Sequence, residues 1–305
     1  MSFSKQYESF ELDNELTIIE GEGGLPFIKV ENDFASGLIS IYGAQLLSYK
    51  LKTTTASAEN DLLFLSEKAY YEEGKSIKGG IPICWPWFGQ DPEKRGRPAH
   101  GFARNMIWSL LETSSNKGAG TQVVLALYDS EATKKLWPYA FKLILTIDIG
   151  KTLKLSLTTE NTGEQAFSIT QALHTYFAVS DINKTRVAGL EQAQYIDTTQ
   201  AGWPLLIQQD EIIFQQEVDR IYTQSSALTL FDDGNNNSKN RQVNIQSKGS
   251  KTTVVWNPWA EISANSADLS DEAYQQFVCI ETANAAEDVI EILPNESFTI
   301  EVEYS

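Results

Sequence analysis

Only two histidines, His100 and His174, occur in 305 residues, so acid–base chemistry near neutral pH rests on few groups. His174 lies in "AFSITQALHTYF". Alternation there sets Phe167, Ile169 and Leu173 on one strand face and Ser168, Thr170, Ala172, His174 and Tyr176 on the other. An imidazole on such a polar, small-residue face can give or take a proton. In "QQFVCIETAN" the same alternation groups Phe277, Cys279 and Glu281, bringing an acid out beside apolar neighbours near a strand end. Partial desolvation raises a carboxyl pKa toward the value a general base needs. Each candidate also has a plainer role: a structural strand histidine, a solvated glutamate, a His100 that caps the turn opened by Pro98, an Asp219 in "EVDRIY" paired with Arg220 at the surface.

The second signal is charge. The chain carries a formal charge of -17, yet between Lys75 and Arg104 six cations (Lys75, Lys78, Lys94, Arg95, Arg97 and Arg104) stand against Asp91 and Glu93 alone. Lys94, Arg95 and Arg97 follow "QDPE" and precede a Gly-Arg-Pro turn, which reads as ordinary loop charge in water. Lys78 in "SIKGGIP" and Arg104 in "HGFAR" have glycine neighbours, where backbone can approach a ligand closely. "CWPWFG" between them reads as a packed aromatic loop before a sugar-stacking platform. Cys84 has no histidine beside it in sequence to activate it as a nucleophile.

Strands must position these groups. "FKLILTIDI" and "TLKLSLTTE" alternate around Gly150-Lys151 as a hairpin, and "TQVVLALYD", "AFSITQALHTYFAV", "TTVVWN", "QQFVCIET" and "SFTIEVEYS" repeat the pattern. Helical periodicity is confined to "SEATKKLW", stopped by Pro138, and "SDEAYQQF". The low-complexity run Asp232 to Asn240 reads as a surface loop. With no βαβ alternation and no linker, residues 1–305 are expected to form one all-β domain, a large antiparallel β-sandwich.

Strong negative charge disfavours nucleic acid and anionic membranes as partners. The N-terminus has neither the basic start nor the apolar run of a signal peptide, and no segment has the length of a membrane span, so a cytoplasmic protein is expected. Cys84 and Cys279 lie among apolar residues and read as reduced thiols, with no disulfide and no cysteine-bound metal. The expected assembly is a monomer.

Six segments in order, "IKGGIPICWPWFG", "PAHGFARNMIW", "QALHTYFAV", "EVDRIY", "VVWNPW" and "FVCIETAN", span Ile77 to Asn284. Together they resemble the hexose-6-phosphate mutarotases, or glucose-6-phosphate 1-epimerases, relatives of galactose mutarotase. The resemblance implies a galactose mutarotase-like supersandwich with no metal and no organic cofactor. It makes His174 the general acid and Glu281 the general base; the chemistry needs one acid and one base on opposite sides of the ring, so the two are expected to face each other across a cleft. It gives His100 and Asp219 the sugar hydroxyls or ring oxygen, and Lys78 and Arg104 the 6-phosphate. The sequence departs from that family at Lys78, where arginine is usual; lysine keeps the charge and loses the bidentate fork. Rival readings are a mutarotase of free hexoses, a glycoside hydrolase using Glu281 with Asp219, and a sugar-phosphate-binding protein without turnover.

Overall fold

The computed structural model describes residues 6–52, 61–234 and 240–305. Alternation builds its sheets. Phe141–Gly150 and Leu153–Asn161 form the expected hairpin, pairing Leu145 with Leu157, Ile147 with Leu155 and Ile149 with Leu153. All six side chains are buried. Each fully buried Leu or Ile contributes about 1.5–3 kcal/mol relative to exposure. A one-residue slip would turn the whole row to solvent, so the pattern fixes the register. Ser297–Tyr304 adds to Leu153–Asn161 with Ile300, Val302 and Tyr304 inward.

Among the described residues the strands form nine-stranded, eight-stranded and four-stranded sheets and a two-stranded pair. The eight-stranded sheet runs Leu205–Ile207, Gln194–Asp197, Val218–Tyr222, Thr252–Asn257, Phe277–Asn284, Gln171–Leu173, Ile83–Cys84, with Tyr176–Ala178 also paired to Phe277–Asn284. From this sheet Leu173, Phe177, Val255, Val278 and Ile280 pack in one core with Leu145, Leu155 and Ile300 of the nine-stranded sheet. The molecule is thus an antiparallel β-sandwich. The opposite face of the eight-stranded sheet is left for other uses.

Three local expectations change. "AFSITQALHTYFAV" is not one strand: Phe167–Ile169 pairs with Ile290–Ile292, and the chain then crosses to Phe277–Asn284. The switch falls at Thr170, whose N–H donates to Pro86 O and whose hydroxyl accepts from Phe88 N. "SDEAYQQF" gives a single 3-10 turn, Ala273–Gln276, because Phe277 is already committed to a central, buried strand. Glu131–Leu136 is helical as expected, with Ser130 and Thr133 forming a reciprocal cap, but Trp259–Asn265 is a helix that periodicity did not suggest. Of the run read as a loop, Asp232 ends the strand Leu228–Asp232, and residues 235–239 lie outside the described residues. Among the described residues no helix is long and apolar enough to cross a membrane.

The Trp-rich loop is anchored from within. Trp85 is fully buried against Phe102, Trp137 and Phe141, and its indole N–H donates to Thr159 Oγ1 at 3.0 Å. Gly101 closes the loop against it at φ 74°, where a Cβ would meet Trp85 O at 1.9 Å. Only glycine fits there.

Candidate active site

The face of the eight-stranded sheet turned away from the core carries the expected groups in rows. Leu173 pairs with Thr282 and Tyr176 with Cys279 in the same register, so His174, in the gap between these two short strands, falls opposite Glu281. Cross-strand neighbours have Cβ atoms about 4.5–5.5 Å apart, and His174 Nε2 lies 3.4 Å from Glu281 Oε1. On its other side Glu281 pairs with Val254, followed by Ile221. The next row runs Tyr176, Cys279, Trp256 and Asp219. Glu281 is therefore mid-strand, not at a strand end as its sequence suggested. It is also in contact with His174 instead of across a ring from it.

Both members of the pair are buried, and each keeps one polar atom without a partner: His174 Nδ1 and Glu281 Oε2. Unpaired buried polar atoms are rare and mark places a ligand can satisfy. Burial pushes the Glu281 carboxyl well above the usual range, and the nearby Asp219 charge pushes it further, against a smaller pull from Arg104. Burial pushes the His174 imidazole well down, helped by His100, Arg104 and Lys78. Both shifts favour the uncharged forms, with the pair's single proton on the carboxyl.

His100 joins them. It sits at φ 63°, its ring edge-on to His174 with centroids 5.9 Å apart and 4.9 Å from that of Phe88. Its Nδ1 accepts from Gly89 N at 3.3 Å, which leaves Nε2–H as donor in the neutral ring. Burial, then the charges of Arg104 and Lys78, hold its pKa down to about 3. It does more than cap a turn. Asp219 is not the surface partner of Arg220, whose guanidinium bonds Gln208 and lies over Tyr195. Desolvation raises the Asp219 carboxyl, against a hydrogen bond from Thr198.

The basic stretch divides in two. Arg104 Nη2 donates to Ala99 O at 3.0 Å, while its Nε is buried with no partner. Lys78 precedes Gly79 and Gly80, at φ 114° and 62°, where a Cβ would strike Phe64 O and Leu46 O. Its ammonium lies 3.3 Å from Asp268 Oδ2. Arg97, expected to be a solvated loop charge, is instead buried: Nε donates to Asp91 Oδ1 at 3.0 Å, Nη1 to Leu136 O at 2.8 Å, and the guanidinium covers Trp87. That bond holds the Asp91 carboxyl far below its usual range. Arg95 pairs with Glu93 in solvent.

Cys84 is enclosed and its thiol is pushed up to about 12 by burial, which rules it out as a nucleophile. Both cysteines are free. Among the described residues no group of three or more His, Cys, Asp or Glu could hold a metal ion. Three neighbours were given no role in the sequence reading of the site. Tyr176 stacks on His174 at 4.9 Å and Trp256 meets it edge-on at 6.0 Å; alternation already put Tyr176 on the His174 face. Asp268, in the loop "NSADLS", gave no signal.

Fold and comparisons define the class together. The crystal structure of a Salmonella typhimurium "putative mutarotase" superposes with a TM-score of 0.86 at 29% identity, covering 97% of this chain and 94% of that one. A galactose 1-epimerase from Lactobacillus acidophilus shares the fold at 15% identity, with a TM-score of 0.71 and coverage of 97% and 98%. Residues 26–305 match the family described as aldose 1-epimerase, and the chain belongs to that family of isomerases. Several relatives carry the name "Putative glucose-6-phosphate 1-epimerase". That of Escherichia coli (strain K12) is 35% identical, covering 86% of this chain and 84% of its own length. That of Cenchrus ciliaris is 36% identical, covering 85% and 78%.

Proposed function

We propose that the chain interconverts the α and β anomers of a hexose 6-phosphate, as a glucose-6-phosphate 1-epimerase, with Glu281 as base and His174 as acid. The pair's proton first passes from Glu281 to His174 across their 3.4 Å contact; Glu281 then takes the proton of the C1 hydroxyl while His174 gives one to the ring oxygen. The C1–O5 bond breaks with its electron pair going to O5, and the former O1–H electrons complete the carbonyl. Rotation about C1–C2 presents the other aldehyde face, and return of both protons closes the second anomer. The pair begins and ends with one proton. Both reacting oxygens are bonded to C1, so an acid and a base in contact suit them better than groups on opposite sides of the ring. Each positioned transfer supplies about 10²–10⁴-fold in rate.

His100 Nε2–H and Asp219 hold sugar hydroxyls, and Lys78 with Arg104 holds the phosphate. The observation that carries the phosphate is Arg104: a guanidinium with a buried, unpartnered Nε–H, close enough to depress both imidazoles. The names of the relatives support the same substrate. One core running from Leu16 to Tyr304 supports a single domain. The test is kcat/KM for glucose 6-phosphate against glucose, by exchange NMR between anomers. A clear preference for the phosphate is expected. Equal values would replace this substrate by free hexoses, and no exchange of either would leave a binding protein.

A further inference from the structure

Lys78 has an anion beside it before any ligand arrives. Its ammonium lies 3.3 Å from Asp268 Oδ2. Ser66 ties the two segments together: its N–H donates to the Lys78 carbonyl at 3.0 Å, and its hydroxyl donates to the Asp268 carbonyl at 2.6 Å. Leu269, the next residue, is buried in one apolar cluster with Phe64, Tyr176 and Phe277. Asp268 is thus held through its backbone carbonyl and through Leu269, whose cluster includes Tyr176, the ring that stacks on His174. Yet the side chains of Lys78 and Asp268 remain 24% and 22% exposed, so water and ligand reach the pair.

We propose that Asp268 is a resident stand-in for the substrate's phosphate, occupying Lys78 in the unliganded protein and yielding it when the sugar phosphate binds. This rests on Lys78 being a phosphate ligand. A partly exposed lysine–carboxylate pair holds weakly. A phosphate monoester near neutral pH carries about -1.5 to -2 charges and three acceptor oxygens, so it displaces a single carboxylate. Asp268 thereby weakens the phosphate's hold by the cost of breaking its own pair with Lys78. It sets affinity for the phosphate subsite without touching the reacting atoms.

The test compares wild type with Asp268→Asn, with Asp268→Ser as a second variant should the first fold poorly. KM for glucose 6-phosphate should fall about three- to tenfold with kcat little changed, and inorganic phosphate should inhibit more tightly by a similar factor. The ratio of kcat/KM for glucose 6-phosphate over glucose should rise accordingly. In a Lys78→Met background most of that gain should vanish. Should KM stay constant or rise in both Asp268 variants while Lys78→Met still lowers the ratio, the stand-in is refuted and the phosphate subsite survives. If Lys78→Met costs both sugars the same factor, the subsite falls and the stand-in with it.

Discussion

Replacing Arg104 by Met removes a charge while keeping most of the stem, and it should leave two separate signatures. The first is affinity. Nη2 is bonded to Ala99 O, but the buried Nε–H is free for a phosphate oxygen. A charge-assisted hydrogen bond contributes about 1.5–3 kcal/mol, or roughly 10- to 150-fold in kcat/KM for glucose 6-phosphate. Glucose, which lacks the phosphate, should lose far less. The second is pH. The Arg104 charge depresses His100 and His174 and opposes the rise of Glu281. Without it every one of these groups keeps its proton to higher pH. The acid limb of the rate profile reports the pair gaining a second proton, and the alkaline limb reports loss of its only one. Both limbs should therefore move up. Polarimetry or exchange NMR on both sugars across the pH range reads the two effects at once. An equal loss for both sugars with an unmoved profile, or a downward shift, would refute the role given to Arg104.

Glu281→Gln and His174→Asn should fold and lose about 10²–10⁴-fold in rate, since both keep shape and delete proton transfer; near-wild-type exchange in either removes that residue from its role. Glu281→Gln should also gain in melting temperature relative to wild type as pH rises. A carboxyl whose pKa is raised by folding stabilises the protonated form below the ordinary glutamate range and loses that contribution as pH climbs through the raised value; a gap that stays constant with pH contradicts this. Lys78→Arg should preserve or sharpen the preference for glucose 6-phosphate, because a guanidinium can grip phosphate with two bonds, and a weaker preference would count against Lys78 as a ligand. Arg97→Met should lower the melting temperature and leave the ratio between the two sugars unchanged, because Asp91 and Leu136 already take up its donors; a fall in that ratio would move Arg97 into the phosphate subsite.

Period-2 alternation made much of the sheet legible, since Leu145, Leu155 and Ile300 can be inside only in one register. It also put His174, Tyr176 and Glu281 on usable faces. What it could not give was which strand lies beside which. The contact between His174 and Glu281 comes from pairing two distant segments, and their places along the strand depend on neighbours such as Val254. The placing of Glu281 near a strand end failed for the same reason, although its desolvation was anticipated: nothing local to "FVCIETAN" says that both flanks of that strand are occupied. Arg97 looked solvated because its partner, Asp91, is drawn inward by backbone N–H groups from Glu93, Arg95 and Arg97. Asp268 was invisible because its meaning lies in Lys78, which is far away in the chain.

The proposed proton-transfer pair is set by the strand Phe277–Asn284 and by the two short strands that flank His174 and pair with it. The cations sit elsewhere, Lys78 before a glycine turn and Arg104 in the short turn Ala103–Asn105. In the proposed roles, moving the protons and holding the phosphate are thereby given to different kinds of backbone. Insertions or exchanges in those loops would then retune the grip on the phosphate while the spacing of His174 and Glu281, dictated by the sheet's own repeat, stays as it was. A scaffold divided in this way can gain or lose a phosphate grip one loop at a time.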